Sequence, residues 1–313
     1  MLTGTACLIA ALGLLTEPGP PRDSVCHNDG TNSGTYTLRR TVEEVRVAFT
    51  LERPRGRSAA HLTREDIFIL EDGLPVPAIT SFYRGDDTPS QLALIVDRSD
   101  SMRGQFAAEQ SAANEVLSVL SKASADQMTL TSFATGSRTA NGKSAQVLSA
   151  SLKGLHAEGQ TALYDTLYSA AQHFHTTSAN NPARRAIILL SDGEDSWSKH
   201  SLEDAIVAAQ QADVAIYAVT AHNRRLEFAG DRVLSRLADA TGGRAFVLSS
   251  YNDLHKVLAA IAADLRTQYV IGFHPRQGDG RYHTVKVLVR GGRLKLRART
   301  GYYAEPDCPS QER

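Results

Sequence analysis

The chain has 313 residues, with 34 Lys and Arg balanced by 34 Asp and Glu, 42% hydrophobic residues, 11 prolines and 3 cysteines. That composition describes an ordinary globular protein and excludes a disordered chain, a collagen and a dense disulfide scaffold. A formal net charge of zero removes the basic excess with which nucleic-acid binders displace counterions from phosphates, so the expected partner is a protein or another ligand.

The long apolar run near the start, Ala6–Leu15, is followed by Glu17 and the breakers Pro18-Gly19-Pro20-Pro21. It is too short to span a bilayer, which takes ~20 apolar residues, so no integral membrane span is expected. Its length suits a secretory signal, and residues 1–16 read as a signal peptide of a protein exported to the periplasm, the cell surface or the medium. The preceding Met1–Thr5 contains no Lys or Arg, and a buried N-terminal helix is the alternative. Removal of residues 1–16 would leave Cys26 and Cys308, one near each end, as thiols that an oxidising compartment would allow to pair, although spacing alone does not show pairing. Residues 17–34 are polar, rich in turn formers and read as a linker.

A β pattern follows. Tyr36, Leu38, Val45, Val47, Phe49 and Leu51 alternate with polar residues at period two, as in a half-buried strand. Asp66–Leu70 and Val76–Phe82 flank Glu71-Asp72-Gly73, which predicts a hairpin. From about residue 91 the period changes. Leu92–Val96 is a continuous apolar run, expected of a central strand buried on both faces. Phe106, Ala113, Val116, Leu117 and Leu120 then recur at helical spacing. Further apolar strands are predicted at Met128–Phe133, Ala186–Leu190, Val214–Val219 and Ala245–Leu248, separated by helices over 162–175, 202–211, 231–240 and 252–265. After Thr267 strands return at Gln268–Phe273, Thr284–Val289 and Leu294–Ala298, the last two flanking Arg290-Gly291-Gly292 as a second expected hairpin.

The order is therefore β, α/β, β. Each terminal β segment is too small for a stable sheet by itself. The expected fold is an α/β domain over 88–266, a doubly wound, mostly parallel sheet flanked by helices. It is inserted in one β-sandwich formed by residues 35–87 and 267–303, with 304–313 as a tail.

Asp97-Arg98-Ser99-Asp100-Ser101 follows the first parallel strand directly, and Ser191-Asp192-Gly193 follows the run Ala186–Leu190. Both stand at strand carboxyl ends, where ligand sites of open α/β sheets form. Gly159-Gln160-Thr161 opens a helix between them. Taken singly, each of these residues is what an N-cap or a turn uses. Taken together, Asp97, Ser99, Ser101, Thr161 and Asp192 make an all-oxygen set suited to one hard cation, Mg²⁺ or else Mn²⁺ or Ca²⁺.

Asp97-x-Ser99-x-Ser101, Thr161 and Asp192, within LALIVDRSDSM, GQTALYDTL and IILLSDGEDS, resemble the metal-ion-dependent adhesion site of the von Willebrand factor type A domain. LTREDIFILEDGLPVPAITSF, LRTQYVIGFHP, YHTVKVLVR and LKLRARTGYY further resemble the ends of bacterial proteins related to that family and described from acidobacteria. One departure is Asp100, where the family often has glycine. Asp tolerates the left-handed region better than most residues, so the loop can form, and the extra carboxylate bears on metal choice. The resemblance implies that Ser99 and Ser101 hold the metal directly, that Asp97, Asp192 and Thr161 hold it directly or through water, and that one coordination position stays open for a partner carboxylate. It implies a non-enzymatic, metal-dependent binding or adhesion module whose partner is a protein or other macromolecule with an acidic group. A structural or assembly module whose metal only stabilises its loops is the alternative.

Catalytic patterns are missing: HExxH, GxSxG, GxxxxGK[ST], GxGxxG after a strand and CxxC are all absent. A metal-dependent hydrolase would need a general base that no histidine or unmatched carboxylate obviously offers. Asp165, Glu194 and Asp195 read as helix-start acids rather than ligands. His173 and His175 point to different helix faces. Trp197 and Ser198 are candidates for the rim of a partner site. The basic run Arg290–Arg299, interleaved with apolar residues, reads as the solvated face of strands.

Overall fold

The computed structural model describes residues 44–52, 62–85, 88–123, 127–142, 144–178, 183–222, 228–290 and 295–304. The expected signal, the linker, the segment 35–43 and the Cys26–Cys308 pair lie outside the described residues.

The centre is a six-stranded sheet of β5 (Ser90–Asp97), β6 (Gln127–Phe133), β7 (Ser137–Gly142), β8 (Arg184–Leu190), β9 (Val214–Ala221) and β10 (Arg244–Leu248), in the order β10-β9-β8-β5-β6-β7. All pairings are parallel except the edge pair β6 and β7. Helices α1 (Phe106–Ala123), α2 (Ala145–Leu152), α3 (Leu163–Ser178), α4 (Leu202–Gln211), α5 (Ala229–Thr241) and α6 (Leu254–Thr267) cover it. Alternation along β5 explains the two layers. Leu92, Leu94 and Val96 join the core under α1, α2 and α6, while Ala93 and Ile95 join the core under α3, α4 and α5. Each larger aliphatic side chain among these, fully buried, contributes about 1.5–3 kcal/mol. Strand β7 and helix α2 carry little signal in the sequence. The β7 segment, SRTANG, is polar and lies on the sheet edge, where only one neighbour imposes a pattern.

The two ends of the chain build one β-sandwich. One sheet has the order β13-β1-β11-β4 and the other β14-β12-β2-β3, where β1 is Val45–Glu52, β2 Ile67–Glu71, β3 Leu74–Pro75, β4 Ile79–Arg84, β11 Tyr269–Phe273, β12 Tyr282–Val289, β13 Lys295–Ala298 and β14 Gly301–Tyr303. Each sheet mixes N-terminal and C-terminal strands. Val47 and Phe49 of β1 meet Ile69 of β2, Ile271 of β11 and Val287 of β12 in the shared core.

Both expected hairpins need correction. Asp72 and Gly73 do form a tight reversal, with φ of 49° and 79°. The returning strand, however, stops after Leu74–Pro75, because Pro75 and Pro77 lack the amides to extend the ladder. The chain then crosses to the other sheet, where β4 pairs with β11. Likewise β13 does not pair with β12 but lies antiparallel to β1, and β14 takes the place beside β12. Period two shows that a strand has an inner face without showing which of two sheets it joins.

The basic run also departs from expectation. Leu296 and Ala298 pack on the sandwich core, so the intervening arginines face the α/β unit. Arg297 pairs with Asp264 and donates to the Gly243 carbonyl at 3.1 Å. Arg299 is buried, pairs with Asp213 at 2.7 Å and donates to the Gln210 and Arg46 carbonyls. These arginines clasp the two units together rather than facing solvent.

A second clasp joins the two ends of the chain within the sandwich. His283 of β12 lies between carboxylates, Nδ1 at 2.7 Å from Asp72 Oδ2 and Nε2 at 3.0 Å from Asp279 Oδ1. Burial alone would lower its pKa, but hydrogen bonds and charge from Asp279 and Asp72 outweigh burial and raise it. A raised folded-state pKa means that this contribution is complete below the unfolded value of about 6.5 and fades as pH rises through the folded value. Urea unfolding of wild type and His283→Gln at pH 6 and pH 8 should show the variant's deficit larger at pH 6. An equal deficit at both pH values would contradict the imidazolium clasp.

Candidate functional site

Strand order reverses between β5 and β8, since the chain leaves β5 for β6 on one side and later returns to β8 on the other. The loops after these strands therefore diverge and open a crevice at their carboxyl ends. Register places Val96 opposite Leu190, so the residues that follow, Asp97 and Ser191-Asp192, reach the same crevice.

Asp97 ends β5 and is 0% exposed. Its Oδ1 accepts the Ser99 amide at 2.9 Å, and its Oδ2 accepts the Ser191 hydroxyl at 2.7 Å. The first bond closes an Asx turn that swings Ser99 and Ser101 over the strand end, where their hydroxyls lie 3.1 Å apart. The second ties β5 to β8, and Ser191 Oγ also accepts the Gly193 amide at 3.0 Å. Asp192 is half-buried, with Oδ1 accepting the Glu194 amide at 3.1 Å. The site thus grades from a closed floor at Asp97 and Ser99 to an open mouth at Ser101.

Thr161 enters from the loop before α3. The Asp100 amide donates to the Gly159 carbonyl at 2.9 Å and the Glu158 amide to the Arg98 carbonyl at 2.8 Å, stitching this loop to the β5 loop. Gly159 has φ of +85°, and a Cβ there would lie 2.6 Å from Thr135 Oγ1, so the close approach requires glycine. On the other side, the Thr161 amide donates to Ser196 Oγ at 3.0 Å, and the Thr161 carbonyl accepts the Ser196 and Trp197 amides at 2.9 Å each. The loops that carry Asp97, Thr161 and Asp192 are therefore cross-linked.

The neighbouring acids have other work or none in this network. Asp165 accepts the Lys199 and His200 amides and Asp195 accepts the Tyr164 amide, which fastens the 195–200 loop to the first turn of α3. Glu194 is exposed, as are His173 and His175. Trp197 is 55% exposed although its amide is fixed on Thr161, so its indole stands at the rim.

Electrostatically the floor is anionic. Burial, with a smaller push from the Asp192 charge, raises the Asp97 pKa to about 6 against the pull of the Ser99 and Ser191 hydrogen bonds. Among the described residues no cationic side chain offsets it. Nor, among those residues, does any group of three or more His, Cys, Asp and Glu converge as a metal cluster. The assembled set contains two carboxylates, and hydroxyls make up the remainder. A buried carboxylate with no cationic partner, ringed by hydroxyl oxygens, fits a hard divalent ion by its chemistry.

Two neighbours of the site go beyond the residues expected from the sequence. Ser191 stands beside Asp192, and its hydroxyl is the strut between the two strands. Glu109 sits three residues after Phe106 on the apolar stripe of α1, and a lone acid on such a stripe is the signal that points to it.

The sequence profile of the von Willebrand factor type A domain matches residues 91–260. No curated protein matches the chain. Among solved structures, a von Willebrand factor type A protein from Catenulispora acidiphila is 14% identical with a TM-score of 0.48, the alignment covering 77% of this chain and 76% of that one. The ArnB paralog VWA2 from Sulfolobus acidocaldarius is 14% identical with a TM-score of 0.45, covering 86% and 77%. The pilus adhesin SpaC from Lactobacillus rhamnosus GG, in its open conformation, is 10% identical with a TM-score of 0.46, covering 77% and 48%. No helix among the described residues is long and apolar enough to cross a membrane.

Proposed function

Because the chain belongs to the von Willebrand factor type A family, we propose that it is a non-enzymatic, exported binding module holding one divalent cation, Mg²⁺ or Mn²⁺ or Ca²⁺, through Asp97, Ser99, Ser101, Thr161 and Asp192. A cation held there would supply a Lewis-acidic centre able to bind a carboxylate of a protein or other macromolecule. What supports this reading is that the loops carrying Asp97, Ser99, Ser101, Thr161 and Asp192 meet at the reversal of strand order, around a buried aspartate with no cationic partner. Loop stabilisation as the sole role is less well supported, because backbone hydrogen bonds such as Asp100 to Gly159 already join the loops.

The test pairs two assays on one variant. Calorimetry of the wild type should detect one Mg²⁺ or Mn²⁺ site, and Asp192→Ala should lose it with the fold retained, as read by circular dichroism. Capture from the envelope fraction should depend on Mg²⁺, vanish with EDTA and vanish with Asp192→Ala. A variant that loses metal yet retains every partner would leave the structural module as the better reading.

A further inference from the structure

Among the described residues six large hydrophobic side chains are exposed, and two of them, Trp197 and Phe228, belong to loops that flank the turn carrying Asp192. Exposed singly, such a side chain needs no explanation; a pair bracketing one turn does. Trp197 is 55% exposed, yet its backbone is pinned: its amide donates to the Thr161 carbonyl at 2.9 Å, and the next amide, of Ser198, donates to Asp195 Oδ2 at 3.3 Å. The residue after Thr161, Ala162, donates its amide to the Ala134 carbonyl just beyond β6, so Trp197 is held on the β5 and β6 side of the site. Phe228 is 42% exposed on the opposite side. Its amide donates to Asp231 Oδ2 at 3.1 Å, and its ring meets edge-on the ring of His222, the residue directly after β9, with centroids 4.5 Å apart. Two residues on, Gly230 abuts the Asp192 carbonyl oxygen so closely that a Cβ would lie 1.9 Å from it. Since the strand order runs β9-β8-β5-β6 and Asp192 follows β8, the Asp192 turn lies between the two aromatic residues.

We propose that Trp197 and Phe228 are the anchors of the partner surface, and that its occupant is an extended protein segment carrying one Asp or Glu with a large apolar side chain two residues before it and another two residues after. The proposal rests on the cation site proposed above. Neighbouring strands lie about 4.8 Å apart, so the loops that carry Phe228 and Trp197, two to three strands from each other, are separated by about 10–14 Å. An extended segment rises about 3.3 Å per residue and turns every second side chain to the same face, so the residues two before and two after a carboxylate project on its side about 13 Å apart. The acid then meets the cation while its apolar neighbours reach the two aromatics. Charge favours a single acid, because Asp192 and the exposed Glu194 border the turn and repel further carboxylates. Aromatic side chains on a fixed backbone lose little entropy on binding, and a few such anchors commonly carry most of the energy of an interface.

Selection of short peptides from a random library on the full-length protein in Mg²⁺, with elution by EDTA, tests this, each recovered sequence then being titrated as a synthetic peptide. The recovered peptides should share one Asp or Glu with Phe, Trp, Leu, Ile or Met at the second position on each side. Trp197→Ala and Phe228→Ala should each weaken these peptides about thirtyfold, the loss expected of an interface anchor, while Mg²⁺ affinity by calorimetry keeps its wild-type value. Trp197→Phe, which keeps a ring, should recover part of the loss. If Phe228→Ala fails to fold, Phe228→Ser, a side chain favoured at the helix N-cap that this residue occupies, carries the measurement. Peptides without the apolar pair, wild-type peptide affinity in either variant, or loss of Mg²⁺ affinity along with the peptides overturns the aromatic anchors and leaves the cation site standing. Recovery of no peptide, with Mg²⁺-dependent binding to an array of acidic glycans instead, overturns a protein segment as the occupant. A wild type that binds neither Mg²⁺ nor Mn²⁺ overturns the site itself.

Discussion

Asp97→Asn is expected to weaken Mg²⁺ or Mn²⁺ binding at least hundredfold while the chain stays folded. A hundredfold loss corresponds to about 2.7 kcal/mol, a reasonable minimum for removing one of two carboxylates from an oxygen-ligand site. The fold should survive because asparagine can meet the same neighbours. Its Oδ1 can accept the Ser99 amide as Asp97 Oδ1 does, and its amide can donate to Ser191 Oγ, reversing the bond that Ser191 now makes to Asp97 Oδ2. Ser191 Oγ already accepts from Gly193, and a hydroxyl oxygen has two lone pairs, so it can accept both. What asparagine cannot supply is charge in a place where Asp97 is fully buried and has no cationic partner. Calorimetry reports the affinity, and urea unfolding without metal reports the fold. Unchanged affinity would remove Asp97 from the site, whereas loss of affinity through unfolding would refute the hydrogen-bond exchange.

The same residue shows how far the amino-acid sequence alone reaches. Asp97 is legible because Leu92–Val96 is apolar at every position, which fixes a central strand and makes the next polar residue its carboxyl end. Asp192 is legible for the same reason after β8. The role of Ser191 is not, because its partner lies 94 residues away and the contact depends on the register of β5 against β8, which no local pattern records. Glu109 is hidden differently: it interrupts a stripe of correct helical spacing, and only the packing of α1 shows that its carboxylate is buried without a hydrogen-bond partner. In the β-sandwich, alternation marks the inner faces of β1, β2, β11 and β12, yet pairing depends on prolines and on crossings between layers. Arg297 and Arg299 look solvated from sequence since alternation marks two faces of a strand, and here the second face meets another unit instead of water.

Gly230→Ala should destabilise the protein by about 3 kcal/mol and impair cation binding with it, although the substitution lies in a helix. At an open helical position the exchange would stabilise by up to about 1 kcal/mol, since alanine loses less backbone entropy. The sign reverses here because α5 begins backbone against backbone with the turn at Asp192. A Cβ on Gly230 would lie 1.9 Å from the Asp192 carbonyl oxygen and 3.1 Å from the Gly193 carbonyl carbon. The contact is reciprocal: Gly193, at φ +80°, would place a Cβ 2.5 Å from the Gly230 carbonyl oxygen and 2.8 Å from Leu234 Cγ. The groups that obstruct Gly230 are backbone, so no rotamer change relieves the clash. Either α5 lifts, disturbing the buried Leu234, Leu237 and Ala238, or the turn moves and carries Asp192 away from Asp97 and the serines. The first route costs packing and the second costs the ligand geometry, so stability and metal affinity should fall together. Gly104→Ala supplies the control, as a Cβ there meets nothing within 4 Å although the glycine closes the loop that holds Ser99 and Ser101. Thermal or urea unfolding and calorimetry on both variants decide the matter. A Gly230→Ala protein as stable as wild type would show that α5 does not brace the Asp192 turn, and one that loses stability with full metal affinity would show that the ligand geometry is independent of that brace.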